Sequence, residues 1–131
     1  MMRWLFADDS ESDQAYARKV LLAIKNQALQ VLVPSIWVYE SAFVVNYYTQ
    51  KDAISHENSI HHLKYLFDLC LVARCEETPA SLFGFSYNNG LSSYDSAYLM
   101  LAQQQGCALA TLDKKLSKVA GISGCSLFAP E

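Results

Sequence analysis

The chain has no apolar run near the ~18 residues that a membrane-crossing helix needs. No secretory leader is expected, because Arg3 is followed by only a few apolar residues before Asp8 and Asp9. A membrane is therefore not an expected partner, and cytoplasm is the expected location. The cysteines, Cys70, Cys75, Cys107 and Cys125, contain no Cys-x-x-Cys pair, and no histidine stands at zinc-finger spacing. Buried, reduced thiols are the expectation. His56, His61 and His62 share one polar helical stretch, with no carboxylate or cysteine at a ligating offset from two of them. They read as surface residues. Basic excess is lacking as well: 10 Lys+Arg stand against 13 Asp+Glu, a net charge of −3. This argues against general electrostatic binding of nucleic acid, which needs a broad basic face, and does not exclude contact at one small site. Repeats, low-complexity tracts and linkers are absent, so residues 1–131 read as a single domain.

What is present suits a packed core: 52% of the residues are hydrophobic. Ser10 or Ser12 can cap a helix to about Asn26, with Ala17, Val20, Leu21 and Ile24 at helical spacing. LQVLV, Leu29 to Val33, is a short β-branched run ending at Pro34 and reads as a buried strand. IWVYESAFVVNYY follows as a helix, apolar nearly all round and so expected to be largely buried. A third helix begins at Ser55, and CLVARCE, Cys70 to Glu76, is a second strand. Thr78 caps a fourth helix, which Asn89-Gly90 stops with a left-handed residue. Ser92-Ser93 open YDSAYLMLAQQQ, which Gly106 ends. CALATL, the helix DKKLSKVA and CSLFA complete the chain. Strands alternating with helices predict an α/β domain with a mostly parallel sheet.

Three carboxylates occupy unusual places. Glu40 is flanked by Ile36, Trp37, Val38, Phe43, Val44 and Val45. An unpaired charge there costs several kcal/mol, so a salt bridge, a bond to a neighbouring helix end or a cation must compensate it. Asp95 lies in a first helical turn, where the helix dipole favours it. Asp113 follows CALATL and can cap the next helix. Ligands of open parallel sheets gather beyond the carboxyl ends of the strands, which is where Asp113 lies and where Glu40 lies one to two turns on. Clustered carboxylates repel unless a cation neutralises them, and oxygen-only ligands select Mg2+ or Mn2+. Lys114, Lys115 and Lys118 follow Asp113 directly. They admit two readings, as holders of a nucleic-acid backbone or as a solvated face placed toward the helix's C-terminal half.

With VPSIWVYESAFVV around Glu40, GLSSYDSAYLMLAQQQG around Asp95, ALATLDKKLSKVA around Asp113 and the opening RWLFADDSES, the chain resembles the PIN-domain family, in particular the VapC-type toxins of bacterial toxin–antitoxin pairs. The resemblance implies a three-layer α/β/α fold and Mg2+- or Mn2+-dependent cleavage of RNA by a water nucleophile. It carries the metal-ligand and catalytic roles onto Glu40, Asp95 and Asp113. Thr111 and Ser92 match hydroxyl positions near the site, and each also has a local reading as strand residue or helix cap. A homodimer and a small antitoxin are the implied partners, with Trp37, Tyr39, Tyr47 and Tyr48 as contact candidates.

One departure accompanies the resemblance. Family members open with an apolar strand that ends in a fourth carboxylate, and RWLFADDS matches the piece that follows that strand. The first central strand is thus expected to be missing, through a start placed too late, or replaced by MMRWLFA, which would bring Asp8 or Asp9 to the site. A strand lent by a partner subunit is a third repair. Without the fourth carboxylate the alternative function is a catalytically impaired PIN-like nucleic-acid-binding or interaction module. LFADDSESD also looks like the opening of a response-regulator receiver domain. That reading fails, because CLVARCEE offers no phospho-acceptor Asp and CSLFAPE no Lys.

Overall fold

Residues 11–131 are described in the computed structural model of the chain, with side chains from Gln14 onward. The expectations placed on MMRWLFA, Asp8, Asp9 and the cap Ser10 lie outside what is described, whereas Ser12, the other expected cap, lies inside the first helix, which already begins at Glu11. Two compact units are formed: one runs to Ala73 and takes in Pro130–Glu131, and the other is Arg74–Ala129.

The first unit contains α1 (Glu11–Asn26), β1 (Val31–Pro34), α2 (Ile36–Gln50), α3 (His56–Leu69) and β2 (Cys70–Ala73). β1 and β2 pair in parallel, Val31 against Cys70 through Pro34 against Ala73. Parallel strands need a long crossover, and α2 with α3 supplies it. Pro34 has no N–H to give a ladder, and accordingly it ends the strand. Ala17, Val20 and Ala23 form the buried face of α1. Lys25 Nζ sits 5.1 Å from the centre of the Tyr65 ring, a cation–π contact between α1 and α3. Ser55 caps α3 by accepting the Asn58 N–H at 3.1 Å. Between α2 and α3, the Thr49 and Ser59 hydroxyls meet at 2.6 Å.

The helix α2 is not buried all round. Ser41, Val45 and Tyr48 are its buried positions, a single stripe at i, i+4 and i+7. Tyr39 and Phe43 are 74% and 71% exposed, and Tyr47 lies in the same row. Hydrophobicity alone does not say which side of an apolar helix meets a neighbour; here one stripe does. Within that stripe the Ser41 Oγ is buried without a hydrogen-bond partner among the described residues. A buried unpaired hydroxyl costs stability, whereas a methyl group does not. Ser41→Ala is therefore expected to leave the protein as stable or up to about 1 kcal/mol more stable. Urea denaturation checks this, and a clear loss of stability would show that the hydroxyl has a partner.

The second unit contains α4 (Pro79–Asn89), α5 (Ser93–Gln105) and α6 (Lys114–Ile122). Thr78 caps α4 through the Ser81 N–H at 3.2 Å. Gly90 (φ 63°) and Gly106 (φ 62°) end α4 and α5 in the left-handed conformation, as expected of glycine at that position. α5 packs against α4 and α6. Its contact with α4 includes a buried bond from Ser86 Oγ to Ser96 Oγ at 2.8 Å. The core is Leu91, Leu99, Ala102, Leu109, Leu116, Ala120 and Cys125. CALATL and CSLFA, expected as full strands, pair in parallel at one bridge among the described residues, Leu109 with Leu127. Leu109 donates to the Ser126 carbonyl and accepts from the Phe128 N–H at 2.8 and 2.9 Å. A ladder needs successive residues bonded in this way, and the described bonds fall on Leu109.

All four thiols are free, but only Cys125 is buried, and Cys75 is exposed. β2 stops at Ala73, so Cys75 lies beyond the strand that was expected to bury it. Burial pushes the Cys70 thiol above its ordinary range, which suppresses the reactive thiolate. Ellman's reagent is expected to modify Cys75 first, and Cys75→Ser should remove the fast phase. A fast phase that survives the substitution would contradict this order. No described helix is long and apolar enough to cross a membrane.

Candidate functional site

Asp95 occupies the third position of α5. Ser92 caps that helix, its Oγ accepting the Asp95 N–H at 3.0 Å. A carboxylate at this position can complete a capping box by reaching back to the cap N–H. Asp95 makes no such bond among the described residues, so its half-buried carboxylate remains available.

Asp113 is held in a related way. Its N–H donates to Thr111 Oγ1 at 3.1 Å. Its Oδ1 accepts the Leu116 N–H at 2.7 Å and so caps α6. Oδ2 has no hydrogen-bond partner among the described residues. In both places a hydroxyl two or three residues earlier fixes the backbone of the acid. Ser92 and Thr111 therefore have structural roles, and those roles serve the carboxylates that follow them.

Asp95 and Asp113 share the second unit. Lys115 links the segments that carry them: a Cβ placed on Gly90 would stand 3.8 Å from its Nζ and 3.9 Å from its Cε. Gly90 lies two residues before the cap of α5, and Lys115 two residues after the cap of α6. Glu40 stands in the first unit, in the second turn of α2, half-buried. It has an interaction partner, as a carboxylate among apolar neighbours requires.

The donors suit a hard divalent cation in kind. They are oxygen-only, and Asp95 and Asp113 keep oxygens unengaged by the described residues. Among the described residues no group of three or more His, Cys, Asp or Glu side chains stands as a metal-holding cluster. His56, His61 and His62 are exposed, as expected. Tyr39 and Tyr47 are exposed, whereas Tyr48 is buried.

The lysine reading needs one correction. Lys114 and Lys115 occupy the first turn of α6 and Lys118 its middle, and no basic residue lies in its last turn. The dipole disfavours cations at a helix start, so placement toward the C-terminus does not account for them. The position of Lys115 over Gly90 went unforeseen. Its one signal in the sequence is the left-handed Asn89-Gly90 stop, which leaves that turn without a side chain.

Comparison with known proteins places this geometry. The family model described as PIN domain matches residues 2–122. Among solved structures, the crystal structure of PAE2754 from Pyrobaculum aerophilum superposes with a TM-score of 0.66 at 19% identity, covering 79% of this chain and 77% of that one. At that identity the likeness establishes the fold: α/β with parallel strand pairing. No curated protein matches the chain.

Proposed function

The chain belongs to the PIN-domain family, a family generally of nucleases that usually use divalent metal ions, and from this premise we propose that it is an Mg2+- or Mn2+-dependent endoribonuclease, the VapC-type toxin of a toxin–antitoxin pair. The observation that carries the reading is the common mounting of Asp95 and Asp113. Each sits at a helix start, each has its backbone fixed by an upstream hydroxyl, and each keeps a carboxylate oxygen without a hydrogen bond among the described residues. Glu40, Asp95 and Asp113 are the residues that would hold the cation. When bound, such an ion lowers the pKa of a water and offsets charge on a phosphate. The family match runs across both compact units, which supports reading them as one PIN domain.

The protein's own groups then divide the work. Ser92 and Thr111 fix where the two acids stand. The cap bond to Leu116 commits one oxygen of Asp113 and holds its χ angles, so the other oxygen is presented in one direction. In the first unit, the exposed row of Tyr39, Phe43 and Tyr47 along α2 is the surface we assign to protein contacts, with a second copy or the antitoxin. Cytoplasmic location follows from this role.

The test is cleavage of a labelled single-stranded RNA pool by the purified protein. Cleavage with Mn2+ or Mg2+, its loss in EDTA and its loss in Glu40→Gln support the reading. Equal activity in wild type and Glu40→Gln removes Glu40 from the site. RNA binding without cleavage under any divalent ion replaces the enzyme with a binding module. Growth arrest on induction, relieved by the small reading frame beside the gene, is the outcome that the toxin role requires.

A further inference from the structure

We infer that Lys115, alone among the three lysines of α6, is the residue that holds the RNA backbone beside Asp95 and Asp113. The inference rests on the nuclease reading above and assigns a substrate contact within it.

Three observations single it out. First, α6 gains nothing from a lysine at this position. It lies in the first turn, where the helix dipole opposes a cation. Second, its side chain, though exposed, has a defined neighbour. Cε and Nζ lie over Gly90, where the missing side chain leaves the turn between α4 and α5 open. Neither Lys114 nor Lys118 stands over a described glycine in this way. Third, the ammonium is unspent. Lys115 makes no hydrogen bond or ion pair with any described residue, although Asp113 is two residues before it and Ser92, the cap of the Asp95 helix, is two residues after Gly90. An ammonium held at the turn that leads into the Asp95 helix, on the helix that Asp113 caps, offers a phosphodiester a counter-charge. With a net charge of −3 the molecule has no broad basic field, so a single placed cation carries more of the RNA contact than it would on a basic protein.

A purely structural role is the competing account: the ammonium would complement the last carbonyls of α4. The two roles separate by salt. Binding of a fluorescent single-stranded RNA to the whole protein is measured by anisotropy, with Ca2+ in place of Mg2+, over a series of KCl concentrations. For Lys115→Ala the expected result is an affinity loss of about three- to tenfold at low salt. The salt slope should also fall by about 0.7, the value of one phosphate contact on a single strand. Lys115→Arg should keep affinity and slope, and Lys114→Ala and Lys118→Ala should stay within about twofold of wild type. In Mn2+ cleavage the loss should fall on KM, with kcat nearly unchanged. A Lys115→Ala variant with wild-type affinity and slope overturns the inference and leaves the nuclease reading standing. The same holds for one that only melts earlier. A wild type that neither binds nor cleaves RNA with any divalent ion overturns the nuclease reading and this inference with it.

Discussion

Asp113→Asn is expected to lower metal-dependent RNA cleavage by at least about a hundredfold while moving the melting temperature by no more than about 2 °C. Asp113 has two tasks that are usually inseparable. One oxygen caps α6 through the Leu116 N–H, and the other, unbonded among the described residues, is left for the cation. Asparagine caps a helix about as well as aspartate, so the substitution keeps the fold. It removes the negative charge that a hard cation requires. Asp113→Ala loses both tasks and should be about 1 kcal/mol less stable as well. Cleavage rates and thermal melts of the two variants, measured side by side, separate cap from ligand. If Asp113→Asn cleaves at the wild-type rate, the carboxylate is a cap and nothing more.

The largest loss of stability is expected from Leu99→Ala. Leu99 is 0% exposed and is grouped with Leu91, Leu109 and Leu116 in the core of the second unit. Truncating a fully buried leucine removes transfer free energy and leaves a cavity, together about 3 kcal/mol. The melting temperature should fall by on the order of 10 °C. Phe83 is larger but 68% exposed, and Phe83→Ala should cost no more than about 0.5 kcal/mol. Equal losses from the two substitutions would mean that the core is not where the structure puts it. Leu99 also lies one turn after Asp95 on the same helix, so its cavity loosens the anchor under the carboxylate. A fall in kcat beyond that explained by the unfolded fraction is expected at temperatures where the variant is still folded.

Helix ends were the most legible part of the sequence. Ser55, Thr78, Ser92 and Asp113 were recognisable as caps, and Gly90 and Gly106 as stops, because capping is settled within one turn of chain. The parallel sense of β1 and β2 follows from two short apolar runs separated by a helical crossover. Less was legible where the answer depends on a distant surface. CALATL was expected to be a whole strand and is paired at Leu109, because ladder length is set by what lies alongside. The face of α2 that is buried, and the exposure of Cys75 just past β2, depend on neighbours in the same way. At the candidate site, the acids themselves stood out in the sequence. The bond of Thr111 to the Asp113 backbone, and the reach of Lys115 over Gly90, became visible only in three dimensions.

The unequal bonding of the two acids bears on how this chain would age. Position 113 is held by folding: Asp or Asn there keeps α6 capped whether or not any reaction is catalysed. Position 95 has no such second guardian, since its carboxylate bonds to nothing among the described residues and Ser92 alone caps the helix. A descendant that had given up chemistry would still be pressed to keep the first and would be free to drift at the second. Asp95, more than Asp113, is therefore the residue whose retention reports a working site.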